Sequence, residues 1–221
     1  KFLNGGQTCV APDYVLAEKS IKGQLVDEIK KQIEKIHGND PQKSEAFVRI
    51  INPRHFQRLT ALLDPAKILH GGKTDAADLY ISPTLMHEIG WNDAVMKEEI
   101  FGPILPIITW ENLDEAIAQI KSQPKPLALY LFTTNKKTRD KVFSEVSFGG
   151  GALNDTIMHL ANPNLPFGGV GNSGTGSYHG EYGFAAFSHQ KSIIEKPNWF
   201  EPFVKYAPYS KFKLSILKRL L

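Results

Sequence analysis

The only cysteine in the 221 residues, Cys9, follows a polar, glycine-bearing stretch, Asn4-Gly5-Gly6-Gln7-Thr8, and directly precedes an apolar run. By composition alone a lone cysteine is most often a small buried hydrophobe. The neighbours of Cys9 argue for chemistry. Two glycines let the backbone come close to a ligand, so that amide N–H groups can face a developing oxyanion. A thiol held there can act as a nucleophile, because even a few per cent of thiolate at neutral pH is reactive.

Three other groups carry potential chemistry. Residues 98–103, E-E-I-F-G-P, set two carboxylates and an aromatic ring just before an apolar segment. Read alone, this is a helix end with exposed acids and a core phenylalanine. Residues 169–174 satisfy G-x-G-x-x-G, yet A-N-P-N-L-P-F, with two prolines, stands where a dinucleotide-binding fingerprint needs a strand. The better reading is a tight loop after Phe167. The seven histidines (37, 55, 70, 87, 159, 179 and 189) form no i,i+4 pair, and no second cysteine completes a zinc set, so no metal site is expected. A Cys/His peptidase using Cys9 with His159 or His179 is formally open, but the sequence around Cys9 lacks the C-G-S-C-W type of signature.

The run G-Q-T-C-V-A-P-D-Y-V-L resembles the catalytic-cysteine segment of the aldehyde dehydrogenases, nearest the class 3 branch that acts on fatty or aromatic aldehydes. E-E-I-F-G-P and L-P-F-G-G-V-G-N-S-G match the same family in the right order. The resemblance implies oxidation of a hydrophobic aldehyde to the acid with NAD or NADP, through a thiohemiacetal and then a thioester on Cys9. It implies that Glu99 bonds the ribose hydroxyls, where two carboxylate oxygens can accept from a vicinal diol, and that Phe101 packs on the nicotinamide side. Thr8, Ile157, Leu160 and Phe167 would line the aldehyde channel; for Ile157 and Leu160, ordinary core is an equal reading. The family's general-base glutamate (E-L-G-G-K), oxyanion asparagine and pyrophosphate loop do not occur in these residues. The chain therefore reads as the C-terminal half of such an enzyme, inactive in isolation. The competing reading is a non-catalytic oligomerisation or interaction module.

These groups need a frame. Residues 13–17 suit a strand, and residues 20–36 a helix with Ile21, Leu25, Ile29, Ile33 and Ile36 on one face and Gly38 as its stop. Residues 39–56 read as loop plus short helix. Residues 66–72 and 79–86 read as two strands, the second set at an edge or bulge by Pro83. Residues 103–109 form a strand interrupted by proline, Asn112 caps the next helix, and 127–132 read as a strand buried on both faces. A helix bearing Val142, Phe143 and Val146 and a strand opening at Gly149 complete a β-α-β-α-β order, which implies one parallel sheet. The fold class is thus α/β: a catalytic domain over 1–187, an oligomerisation strand over 188–197 and a basic tail over 198–221.

Lys+Arg 26 against Asp+Glu 23, a net charge of +3, is too balanced for nucleic acid to be the main partner. One cysteine excludes an internal disulfide framework and fits a reducing, cytoplasmic compartment. No signal peptide is visible, and no apolar run approaches the roughly 18–20 residues of a membrane span. A homodimer is implied by the resemblance alone. The last eleven residues can form a basic amphipathic helix able to lie on an anionic membrane surface; packing on its own or a partner subunit is the alternative.

Overall fold

The computed structural model describes residues 1–220, without the side chain of Leu220; of the expected tail, residue 221 lies outside the described residues. The chain divides into a larger unit, Lys1–Ala186, and a smaller one from Phe187 onward. The larger unit runs β1 (Val15–Glu18), α1 (Lys22–His37), α2 (Pro53–Thr60), β2 (Ile68–His70), β3 (Thr74–Asp75), β4 (Tyr80–Ile81), β5 (Thr84–Met86) and β6 (Ile104–Trp110). It continues through α3 (Leu113–Ser122), β7 (Ala128–Leu131), α4 (Lys136–Glu145), β8 (Gly150–Leu153), α5 (Met158–Ala161) and α6 (Gly180–Ala186).

The main sheet has the order β1-β6-β5-β2, with β6 parallel to both neighbours and β2 antiparallel to β5. Alternation along β6 feeds both faces. Leu105 and Ile107 join Ala17, Leu85 and Val26 of α1 on one side. Ile104 and Ile108 join Phe56 and Leu59 of α2, with Ile81, Met86 and Ile100, on the other. Asparagines start three helices as N-caps: Asn52 accepts from the His55 N–H, Asn112 from Asp114, and Asn135 from Lys137 and Thr138. Gly38, at φ +74°, ends α1 as expected.

Several expectations are corrected. The expected parallel pairing is present, but not in one continuous sheet: β7 pairs with β8 alone, because both edges of β6 are taken by β1 and β5. With α3 and α4 over one face and only the short α5 reaching the other, β7 is half-buried throughout rather than buried on both faces, and Phe132 is exposed. Leu129 and Leu131 pack with Ile117, Val142 and Val146 of α3 and α4. The strand expected over 79–86 breaks at Ser82-Pro83 into β4, paired with β3, and β5 in the main sheet; Pro83 is fully buried rather than at an edge. Pro106 does not interrupt β6. It pairs with Met86 on one side and lies just before the β1 ladder, which starts at Val15 and Ile107, so its missing N–H costs nothing there. On α1, Ile33 is buried as expected and Val26 joins it, whereas Ile21, just before the helix, and Ile36 are exposed.

In the smaller unit, residues 189–197 carry no regular secondary structure, and α7 (Lys211–Leu220) closes the described chain. Among the described residues no helix is long and apolar enough to cross a membrane.

Candidate active site

Cys9 sits at the tip of a turn closed by the Ala11 N–H donating to the Thr8 carbonyl (3.0 Å), and it is exposed. The preceding residues set the tip. Asn4, Gly5 and Gly6 all adopt left-handed backbone (φ +52°, +61° and +73°), a region that glycine enters freely and asparagine tolerates. The Gln7 side chain bolts the turn to the neighbouring segment: its amide donates to the Asn4 and Arg49 carbonyls (3.1 Å each), and its oxygen accepts the Ile51 N–H (3.0 Å). Val10, next to the sulfur, is 1% exposed. The chain around Cys9 is thus anchored on both sides, with the thiol facing solvent. Thr8 is half-buried beside it.

The fold brings the 98–103 loop against this turn. A Cβ on Gly6 would lie 2.2 Å from the Gly102 carbonyl oxygen, so the two backbones touch. Four residues past Cys9, both carboxylate oxygens of Asp13 accept the Ile100 N–H (3.1 and 3.3 Å). Arg58 on α2 donates to the Glu99 and Ile100 carbonyls and pairs with Glu98 at 3.5 Å. Its guanidinium is therefore spent on the loop backbone and on Glu98, and the Glu99 carboxylate makes no ion pair among the described residues. Partial burial holds the Glu99 carboxyl above its usual range, and Asp13 adds to this, while Lys1 and Arg58 pull the other way. Burial likewise raises Asp13 against the pull of Lys1. Phe101 is no core residue: its ring is 39% exposed and its backbone left-handed at φ +50°. A free carboxylate and a presented aromatic face on one clamped loop fit a ribose diol and a flat heteroaromatic ring; a core phenylalanine would fit neither.

A second cluster approaches the Cys9 turn from β7. The Tyr130 phenol donates to the Val10 carbonyl (2.8 Å). Its ring packs edge-on against His159 (5.7 Å), which tilts onto Phe167 (5.9 Å). Phe167 is buried and exchanges backbone hydrogen bonds with Tyr178 (3.0 and 2.9 Å). Ile157 and Leu160 are half-buried at the start and within α5, and the Ile157 backbone is left-handed at φ +64°. The G-x-G-x-x-G run forms a short turn over Gly171–Ser173, closed by the Ser173 hydroxyl on the Val170 N–H, with no strand before it and no helix opening at Gly174. A separate groove of about 780 Å³, between β1, β6 and α3, contains none of these residues.

Three residues of this constellation, Asp13, Arg58 and Tyr130, escaped the reading of the sequence, and His159 entered it only as a formal peptidase partner of Cys9. Tyr130 had a usable signal, a phenol inside an otherwise apolar strand, whose hydroxyl must find a partner if buried. His159 is 7% exposed, with no hydrogen-bond partner for either ring nitrogen among the described residues. Burial pushes its pKa below the usual 6.5, so between that lowered value and 6.5 the unfolded chain binds more protons than the folded one. Stability contributed by the neutral ring is thus lost as pH falls through 6.5. His159→Leu removes two unpaired polar atoms and the titration together. We expect the variant to be at least as stable as the parent at neutral pH, with its relative advantage growing under acid in urea titrations. Parallel pH profiles for the two proteins would contradict this.

Comparison with known proteins gives a consistent picture. The aldehyde dehydrogenase family model matches residues 1–193. The chain is 52% identical over 216 residues to 4,4'-diaponeurosporen-aldehyde dehydrogenase of Staphylococcus aureus, covering 96% of this chain and 47% of that protein. It is 49% identical over 196 residues to the dimeric NADP-preferring aldehyde dehydrogenase of Rattus norvegicus, covering 89% and 43%. The substrate-bound Staphylococcus aureus AldH structure superposes with a TM-score of 0.89 at 50% identity, covering 100% of this chain and 48% of that one. The chain spans about half the length of these relatives.

Proposed function

Because this chain belongs to the aldehyde dehydrogenase family, we propose that it supplies the nucleophilic, acyl-carrying part of an NAD- or NADP-dependent oxidation of a hydrophobic aldehyde to its carboxylic acid. The observation that carries this reading is the position of Cys9. It is an exposed sulfur on an anchored turn, with the Glu99–Phe101 loop against one flank and the Tyr130–His159–Phe167 cluster tied to the other.

In this reading the Cys9 thiolate forms a C–S bond to the aldehyde carbon while the carbonyl π pair moves onto oxygen. The Cys9 backbone N–H holds the resulting charge, a contribution of the kind worth about 2.7–4 kcal/mol per donor. Glu99 would accept from the ribose hydroxyls of the dinucleotide, and the presented Phe101 ring would orient its nicotinamide side. When bound, the oxidised nicotinamide supplies the hydride acceptor. Thr8, Ile157, Leu160 and Phe167 surround the alkyl chain and exclude water from it. The covalent acyl–sulfur bond divides one difficult oxidation into two easier steps. The E-L-G-G-K glutamate that activates the final water in the family does not occur among these residues, so the acyl group should stay on Cys9 once formed.

That gives a direct test. Mixing the chain with the p-nitrophenyl ester of a medium-chain fatty acid should release one equivalent of p-nitrophenolate in a fast burst, with little turnover afterwards. Absence of a burst, or a rate no greater than that of a free small thiol, would overturn the assignment.

A second reading, an oligomerisation module, draws on the smaller unit. Phe187 and Ile194 are 95% and 93% exposed and Ile193 and Trp199 are also exposed, an apolar series suited to a second copy across residues 188–197. In α7, Lys211, Lys213, Lys218 and Arg219 could rest on an anionic membrane surface with Phe212 and Leu214 turned inward. Both are compatible with the catalytic reading rather than substitutes for it.

A further inference from the structure

Alternation along β7 turns Leu129 and Leu131 towards α3 and α4 and leaves Tyr130 facing the opposite way. There the side chain meets two segments far apart in sequence, the Cys9 turn through its hydroxyl and His159 of α5 through its ring. It donates to the carbonyl of Val10, next to the nucleophile, at 2.8 Å. Burial raises the phenol above its ordinary range, the nearby Ile157 backbone draws it back, and Cys9 is near enough to add to the rise. Ile157 is β-branched and left-handed at φ +64°, a conformation that persists only where the surroundings impose it. Phenylalanine would serve the apolar strand as well as tyrosine does, so the hydroxyl is needed only for its bonds.

We infer that Tyr130 is a positioning residue, tethering the Cys9 turn through its hydroxyl to the α5 wall its ring packs against, and thereby fixing how bulky an acyl group the sulfur accepts. The inference rests on the reading of Cys9 as the nucleophile given above. Without the hydroxyl, the Val10 carbonyl loses its partner, and the gap between sulfur and wall is no longer set. The ring contacts to His159 would survive, so the loss is one of spacing rather than of packing.

The test compares the 221-residue chain with Tyr130→Phe, using p-nitrophenyl esters of a short and a long acyl chain and reading the acylation rate of Cys9. We expect the long-to-short rate ratio to fall about tenfold, the factor that corresponds to one lost hydrogen bond of ordinary strength, with the short-ester rate within about twofold. Hydrogen exchange should quicken in peptides spanning 8–12 and 154–160 and stay unchanged in α1. An unchanged ratio with unchanged exchange would overturn the inference. Faster exchange throughout, including α1, would overturn it too, because the hydroxyl would then be a general structural bond. If the parent chain is acylated at Cys9 by neither ester, the catalytic reading fails instead, and the exchange pattern alone still decides whether Tyr130 ties the two segments.

Discussion

Cys9→Ala is expected to abolish acyl transfer to the protein, lowering the p-nitrophenolate burst by at least about a thousandfold. No other side chain in the turn can replace the sulfur. Thr8 and Asn4 lack an acidic proton at neutral pH, and no histidine lies in the residues flanking Cys9 to activate a hydroxyl. Cys9→Ser sharpens the point. Serine keeps the volume and the turn, so folding should be unaffected, yet its hydroxyl is a poor nucleophile without an adjacent base. We expect both variants to lose the burst while matching the parent in urea midpoint. A burst that survives either change would place the chemistry elsewhere.

Gly6→Ala is expected to be among the most damaging small changes in the chain. Alanine at φ +73° costs about 1–2 kcal/mol for the left-handed backbone alone. Its Cβ would stand 2.2 Å from the Gly102 carbonyl oxygen and 2.6 Å from the carbonyl carbon. That contact is with backbone, so no rotamer relieves it. Either the Cys9 turn or the 98–103 loop must move, and Asp13, Arg58 and Gln7 resist both movements. The summed loss should reach about 3–5 kcal/mol in urea unfolding, at the high end for a single substitution. Gly23→Ala is the contrast: a Cβ there meets nothing within 4 Å, and in the first turn of α1 alanine should add up to about 0.5 kcal/mol, less than in a helix interior. A Gly6→Ala protein within about 1 kcal/mol of the parent would show that turn and loop are not pressed together.

How much of this was legible in the sequence depends on the range of the interaction that decides it. Local signals held. Asn112 caps α3, Gly38 stops α1, and the glycine pair before Cys9 marks a turn in which left-handed backbone is required. The dismissal of the G-x-G-x-x-G run also needed only its neighbours, the two prolines that exclude a preceding strand. Long-range choices did not show. Nothing in residues 103–132 tells that β1 returns to take the free edge of β6, and that event leaves β7 and β8 as a separate pair. The same applies within the site. Asp13 reads as one acid before a strand until its oxygens are seen on the Ile100 N–H, and Arg58 as one base on a short helix until it reaches the carbonyls of Glu99 and Ile100. Phe101 was ambiguous for the same reason, since a phenylalanine before an apolar strand is ordinarily core; the left-handed backbone at that position is what turns the ring outward.

The measurement that bears most directly on the account is the location of the acyl group after reaction with a medium-chain p-nitrophenyl ester. The account predicts, by peptide mass spectrometry, one acyl group per chain on the peptide containing Cys9, released by hydroxylamine as a thioester is. Acylation spread over lysines, or a Cys9 peptide that remains unmodified while the ester is consumed, would contradict it.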